Sequence, residues 1–393
     1  MKRLFFLICL AIFTASKPYL NDKNLFQNQD HEDDVVYAIT QFAIDILYNS
    51  VNQDKNTVIS PLLLHNLLAT LSNGADYKTL IEMQQLLGCN IYEMNDYYKN
   101  NIGHFNTNEL SVSNVLWTDS GLTINNSFSE FCKDSTLMKF QMVDFSDKNI
   151  KNIINYWIDS CTNHTTRNLI NEIKPNDKMI VTSTMYFKSQ WLYPFFKENN
   201  IVDKFYSGNG NVQNAEYICN INLYQYFENN EVKGIILPYN NFRYSFFILM
   251  PNKNLSLDDY LQTLSGIDLI ELLNKIKSSY TNVRLYLPKF EFGYKTKIGE
   301  LLKGKQFDSK KLNFSKILSD NSDFFLLDKS YQTTFFSIDE IGTEASSVIV
   351  SYIDGSRKKE TKPIELKLNR PFVFGIIDNQ TSIPIFIGSI NKL

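Results

Sequence analysis

The chain is poor in histidine: His31, His65, His104 and His164 are the whole supply among 393 residues. None stands in a His-Glu-x-x-His pattern and no Cys-x-x-Cys pair occurs, so no zinc or dithiol centre is indicated. A Gly-x-Ser-x-Gly elbow is missing, and Gly304-Lys305 lacks the earlier glycine and the following Ser/Thr of a phosphate loop. Covalent or acid–base catalysis needs a nucleophile beside a base. No such pair stands out, and we expect no enzyme, no cofactor and no metal. His65, inside an apolar run, reads as a packed histidine; Glu32-Asp33-Asp34 and Asp258-Asp259 read as solvated helix-start charges.

An excess of one charge is lacking too. Thirty-nine basic and 42 acidic residues leave a formal net charge of -3, which excludes nucleic acid or an acidic membrane as expected partners. Basic residues are scattered apart from Arg357-Lys358-Lys359. There is no Pro/Gly/Ser-rich linker and no internal repeat, so one large domain is expected rather than two or three. Beyond the N-terminus no apolar run approaches the ~18 residues of a membrane span.

What the chain does have is apolar material, 44% hydrophobic and 14% aromatic, enough for a large core. At the N-terminus a basic Lys2-Arg3, an apolar run from Leu4 to Phe13 and the small residues Thr14-Ala15-Ser16 describe a secretory signal over residues 1–16. The mature chain, 17–393, keeps Cys89, Cys132, Cys161 and Cys219, whose pairing the sequence leaves open, free thiols included. Sequons at Asn125, Asn163, Asn254, Asn313 and Asn379 agree with secretion.

Helical patterning fills the first third. Asp34 to Leu47 is amphipathic, Ser60-Pro61 opens a Leu-rich helix closed by Asn73-Gly74, and Thr79 to Leu87 closes at Gly88. Helix is expected again from Ile150 to Ile170, around Trp157. Strand patterning follows at Met179–Phe187, Tyr244–Met250, Val283–Leu287 and Phe335–Ile338, and in a hairpin of Phe372–Ile377 and Ile385–Ile390. Helices first and strands later predict an α+β domain with large, mainly antiparallel sheets.

Several short motifs follow one another along the chain. They are Asn56-Thr57-Val58-Ile59-Ser60-Pro61; Trp157; Thr184-Met185-Tyr186-Phe187-Lys188 with Trp191 and Pro194-Phe195; and Leu237-Pro238-Tyr239. Leu287-Pro288-Lys289-Phe290, Asp339-Glu340-Ile341-Gly342-Thr343-Glu344-Ala345, Asn369-Arg370-Pro371-Phe372-Val373-Phe374 and Phe386-Ile387-Gly388 follow in order. Taken together and in this order, these motifs resemble the serpin family. The resemblance implies a single domain of about nine helices and three sheets, with an exposed reactive-centre loop over about 340–365. It also implies a suicide-substrate inhibitor of a serine proteinase. The proteinase would form an acyl-enzyme on the loop, and the freed loop would insert into the main sheet. Its partner would be an extracellular, trypsin-like serine proteinase in covalent complex, and the inhibitor itself a monomer.

Insertion demands a proline-free arm with an uncharged face. From Gly342 to Ser356 there is no proline. As a strand, Thr343, Ala345, Ser347, Ile349 and Ser351 share the face suited to burial, while Glu344 and Ser346 fall on the other with Val348, Val350 and Tyr352. By the resemblance the hinge spans Glu340, Gly342, Thr343, Glu344, Ala345, Ser346 and Ser347. The bait bond has two readings. The family's spacing gives Ser356–Arg357 and an elastase-like target; the chemistry of a trypsin-like pocket gives Arg357–Lys358, which we adopt, with the bond after Lys358 a third reading. The alternative function is a non-inhibitory serpin that binds, carries or chaperones.

The implied sheet-opening region comprises Ser60, Leu63, Ser183, Gln332 and Trp191. Here Leu63, Ser183 and Gln332 depart from the family's usual serine, asparagine and histidine, so a polar network loses a member and must re-pair. Val348 and Ile349 are bulkier than usual. The segment Gly88 to Asn114 is about ten residues short for the family and carries no basic stripe, so no glycosaminoglycan is expected to bind.

Overall fold

The first helix, His31–Ser50, starts slightly ahead of the expected Asp34 because Glu32, Asp33 and Asp34 sit in its first turn, where the helix dipole favours acid. It buries Val35, Ala38, Ile39, Phe42, Ile46 and Leu47 along one stripe. Ser60 caps the next helix, Pro61–Ser72, by accepting the Leu63 N–H at 3.3 Å, and every residue of that helix is buried. His65 lies within it as a packed histidine, with Nδ1 2.8 Å from the Tyr98 hydroxyl and Nε2 3.0 Å from the Leu87 carbonyl. Asp76 caps Tyr77–Leu87, which ends at Gly88 in the left-handed region at φ 76°. A further helix, Ile91–Asn101, occupies the segment read as short. The computed structural model describes residues 31–105, 107–174, 177–302, 312–320, 330–343 and 362–393. Nine α-helices fall among them.

One helix differs from expectation. Ile150–Cys161 stops nine residues before Ile170 because Asn163 and His164 adopt φ of 47° and 63°, which no right-handed helix can continue through. The segment after it crosses the sheet as an irregular strap.

The strands form two hydrogen-bonded networks. In the larger, the order is Thr57–Ile59, Pro384–Ile390, Phe372–Asp378, Tyr244–Pro251, Val232–Pro238, Val212–Glu228, Tyr280–Pro288 and Ile364–Lys367, with Ile201–Tyr206 also on Val212–Glu228. The three implied sheets fit this layout, two of them being joined among the described residues because Val212–Glu228 is continuous. Its first part pairs with Ile201–Tyr206 and Tyr280–Pro288, and its end pairs with Val232–Pro238. The smaller network runs Met138–Val143, Leu110–Asp119, Met179–Phe187, Ser330–Ile338, Gly342–Thr343 and Ser189–Gln190, with Phe290–Lys297 on the other edge of Ser330–Ile338. Most pairings are antiparallel, as expected, but Met179–Phe187 and Ser330–Ile338 run parallel.

The two networks pack face to face through aromatic rings. Phe336 stands 4.9 Å from Phe374 and 6.1 Å from Phe246 across the interface, and Phe290 stands 5.3 Å from Phe374. On the opposite face of the smaller sheet, Ile150, Ile154 and Ile158 of the covering helix bury against Val115, Trp117 and Ile180.

Candidate functional site

The end of Ser330–Ile338 is turned back on itself by Asp339. One of its carboxylate oxygens accepts the N–H groups of Ile341 at 2.8 Å and Gly342 at 3.0 Å, and its own N–H donates to the Gly342 carbonyl at 3.1 Å. Gly342–Thr343 then returns as a short strand between two others: Thr343 stands opposite Ile338 on one side and Ser189 on the other, and Gly342 opposite Gln190. A Cβ on Gly342 would lie 2.2 Å from the Ser189 carbonyl oxygen, so only glycine fits this approach.

Thr343 is buried, and its hydroxyl shares a 2.6 Å hydrogen bond with the Tyr239 hydroxyl. Trp191 stacks on Tyr239 with ring centroids 4.8 Å apart. The Trp191 indole N–H donates to the Asp339 carbonyl at 3.0 Å, and its backbone N–H donates to the Ile341 carbonyl at 2.8 Å. Trp191 therefore braces the Asp339 turn. The Glu340 carboxylate accepts the Asn200 amide at 2.6 Å and pairs with Lys289 at 3.1 Å; Lys289 also faces Glu216 at 3.5 Å. Burial works against the charged form of Glu340, but Asn200 and Lys289 outweigh it and hold the carboxyl below its ordinary range.

Below the hinge runs a seam. The ladder between Met179–Phe187 and Ser330–Ile338 joins only Val181, Thr182 and Ser183 to Ser330, Tyr331 and Gln332. Among the described residues it resumes only where Gly342–Thr343 occupies the gap. At the foot of the seam the polar residues divide into two groups. The Ser60 hydroxyl donates to the Ile385 carbonyl at 2.8 Å, and the Gln332 amide donates to the Ser60 carbonyl at 3.2 Å. Among the described residues the buried Gln332 Oε1 has no hydrogen-bond partner. Separately, the Ser183 hydroxyl donates to Asn114 Oδ1 at 2.5 Å, and the Asn114 amide reaches Asn66 Oδ1 at 3.4 Å. Leu63 takes part through its backbone N–H only, its side chain being buried in the core.

Asn66 and Asn114 were missed in the sequence, though both left a signal. Asn66 lies three residues after Leu63 on one helix face. Asn114 shares an inward phase with Leu110, Val112 and Leu116.

The serpin family pattern, whose description is serine protease inhibitor, matches residues 37–393. The chain belongs to the serpin family. A serpin-like protein of Methanosarcina mazei is 26% identical over 402 residues, covering 97% of this chain and 92% of its own length. Intracellular coagulation inhibitor 2 of Tachypleus tridentatus is 23% identical, with 98% of each chain covered. Among solved structures, the thermophilic serpin tengpin in its native state matches with a TM-score of 0.82 at 31% identity, over 93% of this chain and 96% of that one. Its latent state matches with a TM-score of 0.77 at 29% identity, over 93% and 99%.

Of the residues read as the hinge of this serpin, Glu340, Gly342 and Thr343 are placed as above, whereas Glu344, Ala345, Ser346 and Ser347 lie outside the described residues, as do Ser356, Arg357 and Lys358 and the segment 1–16 read as a signal. Cys89, Cys132, Cys161 and Cys219 are free thiols. Burial pushes the Cys89 and Cys132 thiols up to about 12 and Cys219 up to about 11, so these three are poor nucleophiles at neutral pH.

The sequon asparagines differ in surroundings. Asn254 and Asn163 are exposed, the latter donating to the Tyr186 hydroxyl at 3.0 Å. Asn125 caps the helix Asn126–Ser135 through its carbonyl, and Asn313 Oδ1 accepts the Ser315 N–H at 3.1 Å. The Asn379 amide donates to the Phe242 carbonyl at 3.0 Å and to the Ser245 hydroxyl at 2.9 Å, leaving it the least free for a glycan.

Proposed function

We propose that this serpin is a secreted suicide-substrate inhibitor of an extracellular, trypsin-like serine proteinase, with Arg357–Lys358 as the bait bond. The proteinase serine Oγ attacks the Arg357 carbonyl carbon, the Arg357–Lys358 peptide bond breaks, and the Lys358 amine leaves with the proton. What remains is an ester linking Arg357 to the proteinase. The freed arm then follows Gly342–Thr343 into the seam, carrying the proteinase with it. The reaction needs no cofactor, metal or glycosaminoglycan, and the inhibitor acts as a monomer.

One observation supports this reading: Gly342–Thr343 is seated as a strand between Ser189–Gln190 and Ile338, with Thr343 buried, so a strand continued in the same direction would enter the seam. Inward positions at period two from Thr343 are Ala345, Ser347, Ile349 and Ser351, none charged. Burying Glu344 in their place would cost several kcal/mol, and the Thr343 phase keeps it on the other face.

Incubation with trypsin and with pancreatic elastase, followed by a denaturing gel, tests the proposal. A stable adduct of inhibitor plus trypsin, with release of a C-terminal peptide beginning at Lys358, is expected. A peptide beginning at Arg357 and an adduct with elastase would instead favour Ser356 as the bait, as the family's spacing does. Clean cleavage with no adduct from either proteinase would support the non-inhibitory reading.

A further inference from the structure

The hairpin between Ile201–Tyr206 and Val212–Glu228 turns on Ser207-Gly208-Asn209-Gly210-Asn211. The Gly210 N–H donates to the Ser207 carbonyl at 3.0 Å, and the Ser207 N–H donates to the Asn211 carbonyl at 2.8 Å. Gly210 completes the turn in the left-handed region at φ 85°, where glycine is favoured, and a Cβ there would touch nothing. The backbone thus calls for glycine, and an exposed Asn-Gly pair results. The same tip is a clasp. The Asn209 amide donates to the Asp54 carboxylate at 2.9 Å, and the Gly208 N–H donates to the Asn391 carbonyl at 2.9 Å. Asn391 in turn grips the turn that carries Asp54, with its amide on the Lys55 carbonyl at 3.2 Å and its N–H on Asn56 Oδ1 at 2.8 Å.

We propose that Asn209 is a modification site at which this protein ages without any enzyme, losing its side-chain amide, and that the acid formed there unfastens the hairpin from Asp54. In the first step the Gly210 backbone nitrogen attacks Asn209 Cγ. A C–N bond closes a five-membered succinimide ring, the Cγ–Nδ2 bond breaks, and the Gly210 amide proton leaves with Nδ2 as ammonia. Water then adds to one of the two ring carbonyls and opens the ring, giving an aspartyl or isoaspartyl residue whose new carboxylic acid ionises at neutral pH. No oxidant or reductant takes part.

The turn favours this chemistry in three ways. Gly210 has no side chain to hinder its nitrogen. The Asn211 N–H donates to Asn209 Oδ1 at 3.1 Å and draws electron density from the carbon under attack. Asn209, Gly210 and Asp54 are exposed, so water replaces the bonds that the Gly210 N–H and the Asn209 amide give up. The chain's other Asn-Gly pair, Asn73-Gly74, is placed the opposite way. The Asn73 amide donates to the Ala69 carbonyl and to Asn95 Oδ1, both at 3.0 Å, and Asn73 Oδ1 accepts the Asn95 amide at 2.8 Å. Gly74 is buried with its N–H on the Leu71 carbonyl, and even a Cβ on it would lie 2.2 Å from Ile317. Ring closure at Asn73 therefore requires local unfolding, whereas closure at Asn209 requires only that a hairpin tip loosen. Once formed, the acid at position 209 sets a second carboxylate beside Asp54 where a donor had been, so an attraction becomes a repulsion. The isoaspartyl form also lengthens the backbone inside a turn whose ends are fixed by the Ser207–Asn211 pairing.

The test stores the full chain at mildly alkaline pH and body temperature and follows both pairs by peptide mapping in a mass spectrometer. Asn209 should convert about tenfold faster or more than Asn73, and Asn209→Gln should remove the acidic species from isoelectric focusing. An Asn209 that keeps its amide, or that converts no faster than Asn73, overturns the site. The consequence is read by hydrogen–deuterium exchange at the Gly208 amide, which reports the bond to Asn391. Asn209→Asp should speed that exchange several-fold, and adding Asp54→Asn should bring it back toward wild type by restoring an amide–carboxylate pair. Equal exchange in wild type and Asn209→Asp overturns the unfastening, and faster exchange that Asp54→Asn fails to slow overturns the role of Asp54. Should Asn209→Asp fail to fold, the acidic form separated from stored wild type by ion exchange gives the same comparison.

Discussion

Replacing Gly342 by alanine would set a methyl group against the Ser189 carbonyl and the Gln190 backbone, neither of which can swing aside. The short strand would be expelled, and with it the Thr343–Tyr239 bond. Gly342→Ala should therefore raise the fraction of inhibitor cleaved without trapping by several-fold, read as the molar excess needed to silence trypsin. Glu340 acts on the same turn from outside. Its folded carboxyl lies below the ordinary value, so its contribution is present above the unfolded pKa of about 4.3 and is lost as pH falls through the folded value. The gap in melting midpoint between wild type and Glu340→Gln should be complete above the unfolded pKa and shrink as pH falls through the lower folded one. At Gln332 the expectation runs the other way. Its orphaned Oε1 is a cost, and the Ser60 carbonyl it serves also accepts the Leu64 N–H at 3.1 Å. Gln332→Met should thus raise stability by about 1 kcal/mol in a denaturant melt. That the network would lose a member followed from Leu63 standing where the family has a polar residue; that Gln332 would be the one left short, and that Ser183 would turn to Asn114, did not, because partner choice depends on register between distant segments.

At the scale of elements, what could be read in advance follows the local signals. Ser60-Pro61 and Gly88 bound their helices because capping chemistry is local. The Ile150 helix was expected to reach Ile170 because Leu169 and Ile170 continue an apolar pattern; they are buried, but from a strap held by Asn155 rather than from helix. Leu110–Asp119 escaped notice because both its faces are buried from Asn114 to Thr118, which erases alternation. Phe290–Lys297 escaped because Glu291, Gly293, Lys295 and Lys297 give it an exposed face and few apolar residues. The same arrangement predicts a difference in protection. Thr333–Ser337 has one described ladder partner, Phe290–Lys297, whereas Phe372–Asp378 is paired on both sides. Amides of Thr333–Ser337 should exchange with deuterium well before those of Phe372–Asp378, and equal protection would mean that the seam is filled in the resting protein.

For the molecule as a whole, the resting state is one with a site prepared in advance of use. The short strand Gly342–Thr343 is already paired with Ile338, and among the described residues Gln332 Oε1 at the foot of the seam has no partner. On the proposed insertion, the driving force lies in a strand not yet added. The most direct measurement is the thermal melt of intact protein beside protein nicked in the loop by a trace of proteinase. Burying the inward face from Ala345 to Ser351 and completing the ladder should raise the melting midpoint of the nicked form by about 15 °C or more. A nicked form that melts at or below the intact one would contradict insertion, and with it the account of this chain as a trap.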